Sequence, residues 1–462
     1  MFEASTYIER RQQLRERIGS GVILFVGNDL TPMNYPDNPY PFWQDRSFLY
    51  YWGLDEPGLV GVLDADSGEA TLFGHDPTID EVVWTGPQPS LASKAERIGA
   101  SGSAPIGEIG DRIGTLKTSG RQIHLLPLYR AASRIAVADR LGIPVGEIDS
   151  KISRPFLEAV VDQRIIKTAE EIEETEKAMS ITRAMHLEGM RVARPGVAEW
   201  EVAGAVEGMA LRHGGRLSFP IICSKHGETL HNHHYPNTLS AGDIVVLDTG
   251  GVSPSGYAGD ITRTLPIGGR FDERQSVIYE LVLEAEIRSI EAVRPGVRYL
   301  DVHLGACRIL ADGLTDLGIM KGDPAEAVAA GAHALFMPHG LGHLMGLDVH
   351  DCEGLDENYA GYGTELERSS QFGLASLRLG RALQPGFVLT VEPGLYFIPA
   401  LIDRWQADGM HESFIDYDVL DSWRDFGGVR VEDDVVVTAD GKRVLGEPIP
   451  KSIEEVEALL SE

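Results

Sequence analysis

The part of the chain that follows residue 163 repeats itself. The sequence RPGV occurs at 194–197 and again at 294–297, each time after a run of helix formers and before a second one. A sharper echo follows each. Leu239-x-x-Gly242 leads to Asp248-x-Gly250, and Leu383-x-x-Gly386 leads to Glu392-x-Gly394. In both, the carboxylate falls six residues after the first glycine. A period of 100–144 residues is too long for a solenoid. It fits an ancient duplication of a helix–helix–sheet half. Two such halves facing each other put equivalent carboxylates on one central site, so the repeat constrains both the fold and the place of any chemistry.

Five side chains in this region are of metal-ligand type: Asp248 in VVLDTG, Asp260 in GYAGDITRT, His343 in PHGLGHLMGLDVHD, Glu392 in TVEPG and Glu432 in GGVRVEDD. Each lies in a small-residue or β-rich context suited to a strand end or a tight turn. Four carboxylates and one imidazole form a hard, oxygen-rich set, able to neutralise two divalent cations. A metal pair about 3.5–4 Å apart is a standard hydrolytic device. The residues alone therefore point to a two-metal hydrolase.

The spacing refines this reading. DIVVLDTGG (243–251) reads as a buried strand ending in a turn, and DITRTLPI (260–267) as the next strand. A hairpin brings Asp248 and Asp260 to one face, where a cation relieves their repulsion. His339, His343 and His350 could share a helical face, but Gly340, Gly342 and Gly346 argue against a continuous helix. These glycines are expected to let backbone approach a ligand. His231, His233 and His234 form a second cluster, of which at most one need be functional. Alternation puts Arg430 and Glu432 on one strand face, so Arg430 is expected to steady a ligating carboxylate. Asp433 and Asp434 are expected to be solvated or turn residues.

Ahead of the repeat, residues 1–163 carry strand-like runs at 21–27, 59–65 and 69–74, with helical stretches such as 127–141 between them. That alternation predicts a separate α/β domain. Residues 164–193 are expected to form one helix stopping at Arg194-Pro195-Gly196, followed by another at about 198–213 with Val202, Val206 and Met209 inward. The domain boundary is placed near 163–167.

Composition excludes several classes. Lys plus Arg number 41 against 70 Asp plus Glu, a net charge of −29, which repels phosphate backbones and argues against nucleic-acid binding. Cys223, Cys307 and Cys352 form no CxxC pair and read as small buried hydrophobes in a reducing compartment rather than as a disulfide scaffold. The N-terminal segment carries charges where a signal peptide needs an apolar stretch, and no apolar run is long enough to span a bilayer. A soluble cytoplasmic protein without membrane partners is expected. HExxH, GxxxxGK[ST] and GxSxG motifs are missing.

The motifs VVLDTG, GYAGDITRT, PHGLGHLMGLDVHD, TVEPG and GVRVEDD resemble those of the Xaa-Pro peptidases, the aminopeptidase P and prolidase branch of the pita-bread metallopeptidases. YPFWQDRSFLYYWGLDEP (40–57) and EVVWTG (81–86) are similar to that branch's N-terminal domain. In one departure, the two aspartates are a residue further apart than is usual in the family, which suggests an insertion within Val252–Ser255. The resemblance implies an α/β protein, with an N-terminal α/β domain over 1–163 and a pita-bread catalytic domain, a duplicated α+β half, over 164–462. It implies two divalent metal ions, commonly Mn2+, with Asp260 and Glu432 bridging. His343 and Glu392 would complete one position and Asp248 the other. Glu392 would also pass a proton to the leaving proline nitrogen. His231, His339 and His350 match histidines that bind substrate and the developing oxyanion, and Arg430 counts with them as substrate-binding. SQFGLASLRLGRALQPG (370–386) is more similar to prolidase, in which the residue matching Arg378 grips the carboxylate of a dipeptide.

The bond before proline is a tertiary amide without an N–H, and the ring restricts the residue before it. A short site with an apolar proline pocket, recognising a free N-terminus, suits that bond. An Xaa-Pro dipeptidase is thus expected, with an Xaa-Pro aminopeptidase acting on longer peptides as the alternative. A non-catalytic binding protein is disfavoured by the intact ligand set. The resemblance also implies a homodimer or higher homo-oligomer.

Overall fold

Runs rich in Val, Ile, Leu and Phe become the strands of the N-terminal half. In the computed structural model, which describes residues 1–461, these are Val22–Val26, Val60–Asp64 and Ala70–Gly74, joined by Gly102–Pro105 and Ile123–Leu125. Val60–Asp64 pairs antiparallel with both Val22–Val26 and Ala70–Gly74, while the two outer strands add in parallel. Alternate residues Val22, Leu24, Val60 and Val62 pack against Ile109, Ile113, Leu116, Val137 and Leu141 from the helices Ile109–Thr118 and Ala131–Leu141. The second of these helices begins later than residue 127. Arg130 takes extended φ/ψ ahead of it.

Contacts divide the chain into two units, Met1–Arg164 with Gly354–Asp356, and Ile165–Glu353 with the chain from Glu357 onward. The single helix expected over 164–193 is present but starts five residues later than expected. A preceding helix, Arg154–Arg164, ends at residue 164, and Ala169–Val192 starts behind a capping box in which Thr168 and Glu171 bond each other's backbone N–H. A threonine three residues before a glutamate was the local start signal that helix propensity overrode. The next helix, Glu199–Arg212, buries Val202 and Val206 as expected, but Met209 is only partly covered and Ala210 is the buried residue of that turn.

The sequence repeat is a structural repeat. Gly196 and Gly296 both take positive φ, 91° and 83°, which costs glycine little. Gly196 N–H donates to Leu239 O and Gly296 N–H to Leu383 O, each at 2.8 Å. Gly242 and Gly386 repeat the device, with φ of 92° and 91°. Each is followed by a fully buried strand, Ile244–Thr249 or Val388–Val391. Each strand pairs antiparallel with a later one that directly follows a candidate ligand, Ile261–Pro266 after Asp260 or Asp433–Val437 after Glu432. The helix pairs Ala169–Val192 with Glu199–Arg212, and Glu273–Ala292 with Tyr299–Asp316, pack within each half. Among the described residues, no helix is long and apolar enough to cross a membrane. Cys223, Cys307 and Cys352 are all buried, as expected.

Candidate active site

Asp248 and Asp260 reach one face through strand register. Thr262 pairs directly with Asp248, and Asp260 lies two residues earlier on the same side. Glu432 follows the Gly428–Arg430 strand, and Thr262 Oγ1 donates to its Oε2 at 2.7 Å. Arg430 and Glu432 therefore do not share one continuous strand, yet both line the same cavity. His343 lies in an irregular segment. Its backbone N–H donates to Thr390 Oγ1 at 3.1 Å, and its Nδ1 lies 3.1 Å from Leu344 O, leaving Nε2 for the site. That Nε2 is 3.5 Å from Asp260 Oδ2 and 3.6 Å from Glu392 Oε1. Asp260, His343 and Glu432 each offer a ligand atom, all within 4.8 Å of one another.

The acids fit a divalent metal pair better than they fit protons. Burial first, then Asp248, Asp434 and Glu392, push the Asp260 carboxyl well above the usual range. Burial, Asp260 and Glu392 do the same to Glu432. At Asp248 burial also wins, although Arg430 offsets part of it. At Glu392 burial raises the pKa, but His343, His339, Arg430 and His350 together outweigh it and lower it overall. Oδ1 of Asp248 and Oδ1 of Asp260 are buried without a hydrogen-bond partner among the described residues. Such oxygens, clustered with an imidazole, match the donor set of hard divalent cations.

The cavity around them encloses about 520 Å³. Phe219, Pro220, Ile222, Leu230 and Val349 form apolar wall, and His231, His233, His339, His350 and Arg378 are polar lining. His231, His233 and His234 are all exposed, and His234 is the one of that cluster that does not line the cavity. Burial lowers the His339 and His350 pKa values, favouring neutral imidazoles.

The Metallopeptidase family M24 pattern matches residues 173–439, and the Aminopeptidase P, N-terminal domain pattern matches residues 7–124. This chain belongs to metallopeptidase family M24. It is 35% identical to the Xaa-Pro dipeptidase of Homo sapiens, over 98% of this chain and 92% of that protein. It is 33% identical to the Xaa-Pro aminopeptidase of Escherichia coli K12, over 98% of this chain and 96% of that protein. A zinc-substituted E. coli aminopeptidase P in complex with product superposes with a TM-score of 0.82 at 31% identity, covering 100% of this chain and 99% of that one.

Other expectations for this M24 chain need correction. Asp433 and Asp434 are neither solvated nor turn residues. Asp433 is buried between Arg263 Nη2 at 2.7 Å and Lys451 Nζ at 2.6 Å. Burial raises its pKa, but these cations outweigh that and hold it at about 2. Asp434 is fully buried and accepts the Asp260 backbone N–H at 3.0 Å. The glycines of the histidine segment serve protein packing as well as the cavity. A Cβ on Gly342 would stand 2.1 Å from Thr390 O, and one on Gly346 would stand 2.7 Å from Asp351 Oδ2.

Sequence reasoning also missed Tyr396, Thr262, Thr390 and Glu353. Tyr396 OH bridges Arg430 Nη1 at 2.9 Å and His339 Nε2 at 3.0 Å. Its place four residues after Glu392 was the available hint. Glu353 Oε2 lies 3.1 Å from His350 Nδ1 and accepts from Arg378 Nη1 at 2.5 Å. An acid three residues beyond a cavity histidine was the hint there.

Proposed function

We propose that this M24 metallopeptidase hydrolyses the peptide bond preceding proline near a free N-terminus, and that it favours Xaa-Pro dipeptides. The observation that carries the reading is the meeting of Asp248, Asp260, His343, Glu392 and Glu432 around one cavity that also holds Arg378. Those five side chains would hold two divalent ions, and the preponderance of carboxylate favours Mn2+ over softer cations. When bound, such a metal pair lowers the pKa of a shared water and polarises the scissile carbonyl.

The chain's own groups do the rest. Glu392 carries a proton to the leaving proline nitrogen, which has no hydrogen of its own while acylated. His350, neutral when buried and held at Nδ1 by Glu353, donates from Nε2 to the oxyanion, while His339, held by Gly340 O and Tyr396 OH, orients the substrate. His231, at the cavity edge, adds a further contact to the peptide. Arg430 holds Asp248 and borders the substrate. The apolar wall receives the proline ring. Arg378 faces the carboxylate that ends a dipeptide.

The aminopeptidase reading has its own support. Arg378 is already paired with Glu353 at 2.5 Å, so a substrate carboxylate must compete for it. Residues 1–163 act, in this proposal, as an N-terminal domain that restricts substrate length within a homo-oligomer, in the cytoplasm. A side-by-side assay on Gly-Pro and an Xaa-Pro-Pro tripeptide, after chelation and with added manganese, zinc or cobalt, tests the whole. Gly-Pro cleavage lost to chelator and restored best by manganese is expected. Preference for the tripeptide transfers the protein to the aminopeptidase reading, and no cleavage of either defeats both.

A further inference from the structure

A second cluster of ligand-type side chains lies outside the carboxylate site. His303 and Cys307 stand four residues apart on the Tyr299–Asp316 helix and so share one face. His333 joins them from the short 3-10 helix Ala332–Leu335. One ligand atom from each lies within 4.8 Å of the other two. The three are 0%, 0% and 3% exposed.

The cluster is polar and under-satisfied. His303 Nδ1 and both ring nitrogens of His333 are buried without a well-formed hydrogen bond among the described residues, with the Val328 backbone approaching the His333 ring. Unpaired buried polar atoms are costly, and three around one thiol call for a compensating ligand. Cys307 Sγ lies 3.5 Å from His303 Nε2. In a tetrahedral site with Zn–S of about 2.3 Å and Zn–N of about 2.0–2.1 Å, the S···N edge is ~3.6 Å. That edge is already set.

The protonation states agree with ligation by the imidazoles. Burial, with His333 and His339 nearby, lowers the His303 pKa to about 3. Burial, with His411 nearby, lowers that of His333 to about 4. Both rings are therefore neutral at pH 7, with a lone pair available. The Cys307 thiol, pushed up to about 12 by burial, remains protonated until a cation displaces its proton.

We propose that His303, Cys307 and His333 form a structural metal site for a thiophilic, borderline cation, Zn2+ above all. Its chemistry is opposite to that of the oxygen-rich site, because a thiolate and two imidazoles favour zinc while carboxylates favour manganese or magnesium. The metal would tie the Tyr299–Asp316 helix to the 3-10 turn that leads directly into the segment bearing His339 and His343. Because the ligands are buried, loading accompanies folding rather than following it.

The full chain, refolded with Co2+ as a spectroscopic substitute for zinc, tests the site. Wild-type protein should show a thiolate-to-cobalt charge-transfer absorption in the near ultraviolet. Asp260→Asn, which disturbs only the oxygen-rich site, should keep that absorption. Cys307→Ser should lose it together with one metal equivalent per chain. His333→Asn, which retains the thiol, should weaken or abolish it, and serves if the serine variant does not fold. Absence of the absorption from loaded wild-type protein overturns the proposal, as does its persistence in Cys307→Ser.

Discussion

Arg430 and Asp248 lie 182 residues apart in sequence, and the Arg430 Nη2 donates to Asp248 Oδ2 at 2.5 Å inside the candidate site. The same guanidinium holds Thr262 Oγ1 at 3.2 Å through Nε and Tyr396 OH at 2.9 Å through Nη1. One planar group thus fixes a metal-ligand candidate from the first half of the repeat and a histidine-bonded tyrosine from the second. A lysine offers no such fork. Arg430→Lys is expected to lower kcat/KM or metal affinity by about 10- to 100-fold, the usual cost of losing a group that orients a ligand. Steady-state kinetics with metal titration measure it, and wild-type values for both would contradict the orienting role.

Asp260 is the carboxylate that stands closest to His343 and shares its cluster with Glu432. Asp260→Asn keeps the shape but removes a charge that either metal position would share. At least one metal equivalent should be lost, and activity with it. Elemental analysis of the purified variant decides the point. Two tightly held ions would refute the assignment.

Arg378 is one-third exposed at the cavity, where Glu353 holds it. Charge-assisted pairing with a carboxylate contributes about 1.5–3 kcal/mol. Arg378→Ala should therefore cut kcat/KM for Gly-Pro by about 10- to 150-fold. A tripeptide, whose carboxylate lies one residue further on, should be spared. Equal losses on both substrates would remove Arg378 from dipeptide selection.

Asp64 and Arg121 form a bidentate pair in the N-terminal unit, at 2.6 and 2.8 Å. Hydrogen bonding from Arg121 holds the Asp64 carboxyl well below its ordinary range. A depressed folded-state pKa contributes stability that is present above the unfolded pKa, about 3.9, and is lost as pH falls through the folded value. Urea midpoints, followed by hydrogen exchange in the Val22–Val26 and Val60–Asp64 strands, should drop more steeply below about pH 4 for the wild type than for Asp64→Asn. Parallel curves would show that the pair contributes no pH-linked stability.

The sequence alone determined the elements that depend on local pattern. Buried strands announce themselves by continuous β-branched runs, as at Ile244–Thr249, and positive-φ turns by glycine at fixed offsets, as at Gly196 and Gly296. The acid-bearing echo marked Asp248 and Glu392 as equivalent because a duplicated half carries its chemistry at the same offset. Tertiary structure decided the rest, because burial and pairing between distant segments have no local period. Asp433 looks like any charged turn residue until Arg263 and Lys451 enclose it. Arg378 reads as a free carboxylate binder until Glu353 is seen beside it. His303, Cys307 and His333 come together only because a helix face meets a 3-10 turn, a juxtaposition set by packing rather than by spacing.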